Sequence, residues 1–385
     1  MEWLFWLCVA VVAYTYFLYP VLLAMFAAWF GRVRTIAPTH LSVSFLLPVH
    51  NEEVNLPRRL EELTRQIQTA GVAGEIIVIS DGSTDRSVEI ASQHPGVRVI
   101  QQPEKLGKAA ALNAGAALAL HDLLVFADAR QRWADDALAR LIENFADPAV
   151  GAVSGDLVLE SSPGVLAGVG LYWRFEKWLR KQESKLGSQV GVTGAISACR
   201  RTLFRPIPQG TLLDDVFWPM HVVLQGYRVV HDERSIAFDR LPDDPRDEFR
   251  RKVRTLAGNF QLMTLLPFGA LLPFGNRVWW QWLSHKMLRL VVPWALIGMF
   301  VSSALLAGAP RFPEQDRYIV LLALQMLGYA VGAMGMMPAI GGRVRILGAA
   351  ASFLVLNAAA WLAFWVWISG RAGQSWHKAQ YQGDV

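Results

Sequence analysis

The stretch EIIVISDGSTD, Glu75–Asp85, decides the fold. EIIVIS (75–80) is a short apolar run rich in β-branched residues, the composition of a strand. Asp81-Gly82 ends it, and Ser83 or Thr84 opens a helix. The same unit recurs on either side. SVSFLLPV (42–49) reads as a strand and leads into a polar, helix-compatible stretch from Asn55. VRVIQQ (97–102) reads as a third strand, Gly107–Ala119 as a helix with a small-residue face, and DLLVFAD (122–128) as a fourth strand. Strands alternating with helices predict a parallel, helix-covered sheet of the α/β class. Such sheets bind ligands beyond the carboxyl ends of their strands. Asn51-Glu52, Asp81-Gly82-Ser83 and Asp128 are the polar residues that fall there.

Outward from this region the chain turns apolar. Hydrophobic residues make up 53% of the 385 and charged residues only 18%, where a soluble protein carries about a quarter charged. Residues 3–31, 290–310, 318–342 and 346–370 carry no charge, and each approaches or exceeds the ~18–20 residues that cross a hydrocarbon core. The first opens with Glu2 and is far longer than a signal-peptide core, so it reads as an uncleaved anchor. The expected organisation is an anchor at 1–31, an α/β domain at 39–245, basic amphipathic interfacial helices at 246–286, three membrane helices at 287–370 and a polar tail at 371–385. Residues 262–282, broken by Pro267 and Pro273, read as an in-plane segment with Trp279, Trp280 and Trp282 at headgroup depth.

The net charge of +5 is modest, and its basic residues gather near the membrane ends: Arg32 and Arg34, Arg250 to Arg254, Arg343 and Arg345. Phospholipid headgroups account for them better than nucleic acid does, so no nucleic-acid partner is expected. The loop holding Arg311, Glu314, Asp316 and Arg317 has no net charge. Basic ends placed in the cytoplasm put the middle region there and both termini outside, against Arg371 and Lys378. The expected location is therefore the plasma (inner) membrane, with a cytosolic catalytic domain. Cys8 and Cys199 provide neither a disulfide framework nor a metal cluster.

PVHNEE (48–53), SDGSTD (80–85), KLGKAAALNAG (105–115), FADAR (126–130), TGAISACRR (193–201) and LLDDVFWP (212–219) occur in one order. That set resembles the family 2 glycosyltransferases of the GT-A fold, in particular the membrane-integrated group that includes cellulose, hyaluronan and poly-N-acetylglucosamine synthases. The resemblance spans about residues 42–260. It implies a Rossmann-like nucleotide-sugar domain that transfers a hexosyl or N-acetylhexosaminyl group with inversion, from a UDP-sugar, in polysaccharide synthesis. Pro48, Val49, His50, Glu52 and Asp81 would then lie around the nucleoside. Asp128 takes the first place of the family's DxD motif as the ligand of Mg2+ or Mn2+, which would absorb charge on the departing diphosphate. Here Arg130 replaces the second Asp and is expected at the phosphates.

Lys105 and Lys108 flank Gly107 at a helix start, where backbone N–H groups attract phosphate. Asn113 is expected to order this segment or to approach the donor sugar. The family's acidic pair before an apolar helix is Asp214-Asp215, with Asp215 as the general base on the acceptor hydroxyl. Gly194 and Cys199 are expected on the acceptor side. Arg251 and Arg254 overlay the family's Gln-x-x-Arg-Trp motif, with Arg254 facing the diphosphate and Thr255 in place of the Trp; a basic helix on anionic lipid explains the same residues. Three readings follow: a polysaccharide synthase acting on a membrane-proximal glycan, a transferase adding one sugar to a polyprenyl or other lipid carrier, and a catalytically silent subunit that binds nucleotide sugar.

Overall fold

The computed structural model describes residues 1–160, 167–240, 244–309, 315–337 and 344–371. Arg311, Glu314, Arg343, Lys378 and the tail beyond Arg371 lie outside the described residues.

A long apolar helix, α1 (Glu2–Phe30), opens the chain. There follow β1 (Val43–Val49), α2 (Leu56–Ala70), β2 (Gly74–Asp81), α3 (Ser87–Gln93), β3 (Val97–Gln102), α4 (Lys108–Leu118) and β4 (Leu123–Ala127). These are the strand–helix units read from the sequence. β5 (Arg132–Trp133), α5 (Ala137–Glu143), β6 (Val150–Glu160), α6 (Ala167–Leu186), β7 (Ile196–Arg200), α7 (Asp214–Leu224) and β8 (Arg228–Arg240) complete the domain. Beyond it lie α8 (Pro245–Leu265), α9 (Trp279–Ala307), α10 (Gln315–Gly335) and α11 (Arg345–Ile368).

One eight-stranded sheet has the order β3-β2-β1-β4-β7-β6-β8-β5. β3, β2, β1 and β4 are parallel, with Val43 opposite both Gly74 and Leu123. The second half departs from the all-parallel expectation. β7 runs antiparallel to β4 and to β6, while β6 and β8 pair in parallel across two register shifts. A parallel pair needs a crossover, and α6 supplies a long connection between β6 and β7 without restoring the direction. The sheet is therefore mixed.

Each face carries its own core. α2 presents Leu56, Leu60 and Leu63 at helical spacing, and with α5 it covers Phe45, Leu47 and Val125. On the other face α4 lays Ala109, Ala111 and Leu112 against Leu46 and Ile79, beside α7. That second core runs on through Val253, Ala257 and Phe260 of α8 into Ala359 and Ala363 of α11. Phe260 stacks on Trp367 with ring centroids 5.5 Å apart. The apolar helices thus dock on the α4/α7 face of the sheet.

Four helices, Glu2–Phe30, Trp279–Ala307, Gln315–Gly335 and Ile346–Ile368, are long and apolar enough to cross a membrane. The third of the charge-free stretches is thus helical only as far as Gly335, and the second begins earlier than expected. Residues 279–289 continue into the apolar helix through a π-helical stretch at Trp282–Met287, so the expected in-plane segment ends at Trp279. Trp282 is buried rather than at headgroup depth, and Trp280 donates its indole N–H to Tyr14. Arg34 also departs from its expected place at lipid headgroups. Its guanidinium reaches His231 O at 2.7 Å and Asp232 at 3.7 Å.

Candidate active site

Two groups of side chains form at the carboxyl edge of the sheet. The first ties the end of β1 to the end of β2. Pro48 and Val49 close β1 opposite Ile79 and Ser80. His50 Nδ1 lies 2.7 Å from Asp81 O. Asn51 adopts a positive φ of 55°, and its side-chain oxygen accepts from Thr84 N at 2.8 Å. Glu52 N donates to Ser87 Oγ, Glu53 N to Asp85, and Arg86 N returns to Glu53. The Glu52 carboxylate accepts from Asn55.

Asp81 is buried, and its carboxylate accepts Leu106 N at 2.6 Å and Gly107 N at 3.0 Å. It therefore fixes the loop that carries Lys105 and Lys108, acting at the start of α4 as well as at its own strand end. Gly82 is required here. Its φ is +64°, and a Cβ would lie 2.6 Å from Lys105 N.

The second group is a cleft lined by Lys108, Asp128, Gly194, Asp214 and Asp215 over Leu112, Phe126 and Trp218. β4 delivers Asp128, the first turn of α4 delivers Lys108, and the first turn of α7 delivers both remaining acids. Phe126 and Trp218 stack at 4.6 Å beneath them. Lys108 Nζ lies 2.8 Å from Asp128 and 3.9 Å from Asp214. Gly194 leaves room for that ammonium, since a Cβ there would sit 3.3 Å from it. Burial works against the charged Lys108, but Asp128 and then Asp214 outweigh it and raise its pKa.

Asp215 is pushed up to about 6, first by burial and then by the Asp214 carboxylate, with Lys108, Arg180 and Lys286 pulling the other way. Its main chain is fixed as well, because Asp215 O accepts Val192 N at 2.8 Å. A carboxyl that titrates near 6 is a better proton acceptor than an ordinary Asp, and it remains ionised at neutral pH.

Other expected residues lie elsewhere. Cys199 sits in β7 between Leu124 and Ala152, fully buried, with its thiol pushed up by burial; it is a core residue and not part of an acceptor surface. Asn113 donates its amide N–H to Ile207 O and accepts from Ile207 N on its side-chain oxygen, ordering the chain ahead of α7 instead of facing the cleft. Arg130 forks onto Asp239 at 2.9 and 3.1 Å, a rigid pairing that holds it to β8. Arg251 turns to Glu248 at 2.8 Å, and Arg254 is half-buried on α8. Arg180 and Lys286, which bear on Asp215, were not singled out in the sequence. Lys286 lies within WLSHKMLRLVVPW, whose mixture of cations and apolar residues was the available signal.

Residues 44–207 match the family model for glycosyl transferase family 2. The chain is 24% identical over 232 residues to a poly-β-1,6-N-acetyl-D-glucosamine synthase of Staphylococcus aureus, covering 57% of this chain and 55% of that protein. It is 23% identical over 248 residues to the synthase of the same name from Staphylococcus epidermidis, covering 61% and 59%. The chain thus spans little more than half the length of these curated relatives. A mannosyltransferase from Pyrobaculum calidifontis, solved with GDP-Man and Mn2+, superposes with a TM-score of 0.69 at 22% identity, covering 96% of this chain and 99% of that one. The fold is the expected GT-A fold, a Rossmann-like domain with a mixed sheet, and the four long apolar helices mark a membrane protein.

Proposed function

We propose that this chain, a family 2 glycosyltransferase, moves a sugar with inversion from a nucleotide sugar, of the UDP class, to a hydroxyl of a membrane-proximal glycan in polysaccharide synthesis. The observation that carries the reading is the convergence of Lys108, Asp128, Asp214 and Asp215 on one cleft, with Asp215 titrating near 6. Asp215 takes the proton of the attacking hydroxyl, and Asp214 keeps it basic. Lys108, at the start of α4, meets the diphosphate together with Lys105. The His50–Glu52 and Asp81 rim receives the nucleoside. The second core's continuity with α8 and α11 supports an acceptor arriving from the membrane side. The α/β domain would lie in the cytosol, with the four helices spanning the plasma (inner) membrane.

The donor set bears on the metal. Among the described residues no three His, Cys, Asp or Glu side chains gather into a cation site. One or two carboxylates suffice for an ion held mainly by phosphate oxygens. Asp128 therefore fits a Mg2+ or Mn2+ that travels with the diphosphate, and not one caged by protein. When bound, such an ion would stabilise charge on the departing diphosphate.

The test is nucleotide release by the purified full chain from a panel of nucleotide sugars, with and without divalent cation. Release from one donor, lowered at least tenfold by chelator, is the expected result. Nucleotide binding with no release from any donor would mean a silent binding subunit and would overturn the reading.

A further inference from the structure

The chain from Phe204 to Leu213, which leads into the two acids of α7, forms neither helix nor strand. Its main chain is held by side chains instead. Asn113 of α4 donates to Ile207 O at 2.7 Å and accepts from Ile207 N at 2.8 Å. Gln261 of α8 grips the same segment further on, accepting from Leu212 N and donating to Gly210 O, both at 2.9 Å. Each side-chain amide thus supplies the donor and the acceptor that a neighbouring strand would supply. Between the two clamps the chain turns at Pro208, whose carbonyl accepts from both Thr211 N and Thr211 Oγ1.

α8 comes this close because Gly258 allows it. A Cβ there would lie 2.6 Å from Leu213 Cγ and 3.1 Å from Leu212 Cβ. Gly258 precedes Gln261 by three residues, so the two share one face of α8. Leu213 stands directly before α7, and its carbonyl accepts Phe217 N at 3.0 Å, which starts the helix that carries Asp214 and Asp215. Val192 N, on Asp215 O at 2.8 Å, holds the base from the other side. The neighbour of Gln261 in the chain, Phe260, packs instead on α11, with ring centroids 5.5 Å from Trp367 and 5.6 Å from Phe364. α8 is therefore fixed between an apolar helix and the segment that presents Asp215.

Fixing an irregular segment costs conformational entropy, which its hydrogen bonds must offset. Small displacements of a catalytic group are costly in rate. Gln261 is the side chain that holds the last residues before the acidic pair.

We propose that Gln261, seated against Leu212 and Leu213 by Gly258, is a positioning residue for Asp215, so that α8 sets the placement of the general base. The role rests on the reading of Asp215 given above; the clamp itself does not.

The experiment follows two readouts on the full chain in detergent: nucleotide release from the donor that turns over, and hydrogen–deuterium exchange over residues 207–215. Gln261→Ala is expected to lower kcat about tenfold and to leave the donor KM within about twofold. It should also quicken exchange in this stretch and leave Lys108–Leu118 unchanged. Gln261→Glu, whose carboxylate still accepts from Leu212 N, should bring kcat back to within about threefold of the unsubstituted chain. Added to Asp215→Asn, Gln261→Ala should change the residual rate by less than about twofold, because a group that acts through the base has nothing left to place. Full turnover in Gln261→Ala, an equal loss in the Asp215→Asn background, or a donor KM that rises as kcat falls overturns the positioning role. Unchanged exchange over 207–215 overturns the clamp. No turnover from any donor by the unsubstituted chain, with exchange still quickened by Gln261→Ala, would sink the transferase reading and the positioning role with it, and leave the clamp standing.

Discussion

On the β1–β2 side of the sheet edge, polar side chains bind the main chain of the facing loop; on the β4–α7 side, they face a cleft. The side chains of His50, Asn51, Glu53, Ser83, Asp85 and Ser87 hydrogen-bond to backbone groups across two loops. Asp128, Asp214 and Asp215 instead bring three carboxylates to one ammonium. The first arrangement holds a rim in shape for a ligand. In the second, burial and a neighbouring acid together raise Asp215, as the proposed base requires. Motif residues are therefore not equivalent. In the proposed reading some make the site and others hold its frame.

Three substitutions sharpen that contrast. Asp215→Asn is expected to lower sugar transfer about 10²–10⁴-fold, the range for loss of a general base, with nucleotide affinity nearly unchanged. Turnover and equilibrium nucleotide binding measured on the same preparation check it, and equal losses in both would erase the distinction between cleft and rim. Asp81→Ala should act the other way round. It leaves Leu106 N and Gly107 N without their acceptor, which costs about 1–3 kcal/mol of stability. A lower melting temperature and a weaker donor affinity are expected, with the acceptor KM unmoved. The smallest effect belongs to Cys199→Ala, a sulfur-sized deletion in β7. Steady-state kinetics should show an acceptor KM within about twofold of the unsubstituted chain.

The parallel half of the sheet was legible because each strand and its helix are adjacent in the chain and carry their own period and stop signals, as in EIIVIS followed by Asp81-Gly82. The antiparallel half was not, since the direction of β7 is set by pairing with β4 and β6 across a long helix. Asp128, Lys108 and Asp215 were legible as members of an ordered motif set. The places taken by Arg130 and Asn113 were not, because their partners Asp239 and Ile207 lie 109 and 94 residues away and nothing local announces them. Glu176 and His285 are likewise 109 residues apart. Arg251 and Arg254 looked like either phosphate or lipid ligands in sequence, and the pairing of Arg251 with Glu248 was not among the partners expected for it.

The most direct test of the central claim is the pH dependence of transfer at saturating donor, in the unsubstituted chain and in Lys108→Gln. A base raised to about 6 is ionised above that pH, so the rate should be level there and fall about tenfold per unit below it. Lys108 draws the Asp215 pKa down, so its removal should move the acid limb to higher pH while lowering the plateau. A limb at the ordinary aspartate value near 4, or one that does not move in the substituted chain, would contradict the assignment of Asp215 as the base of this cleft.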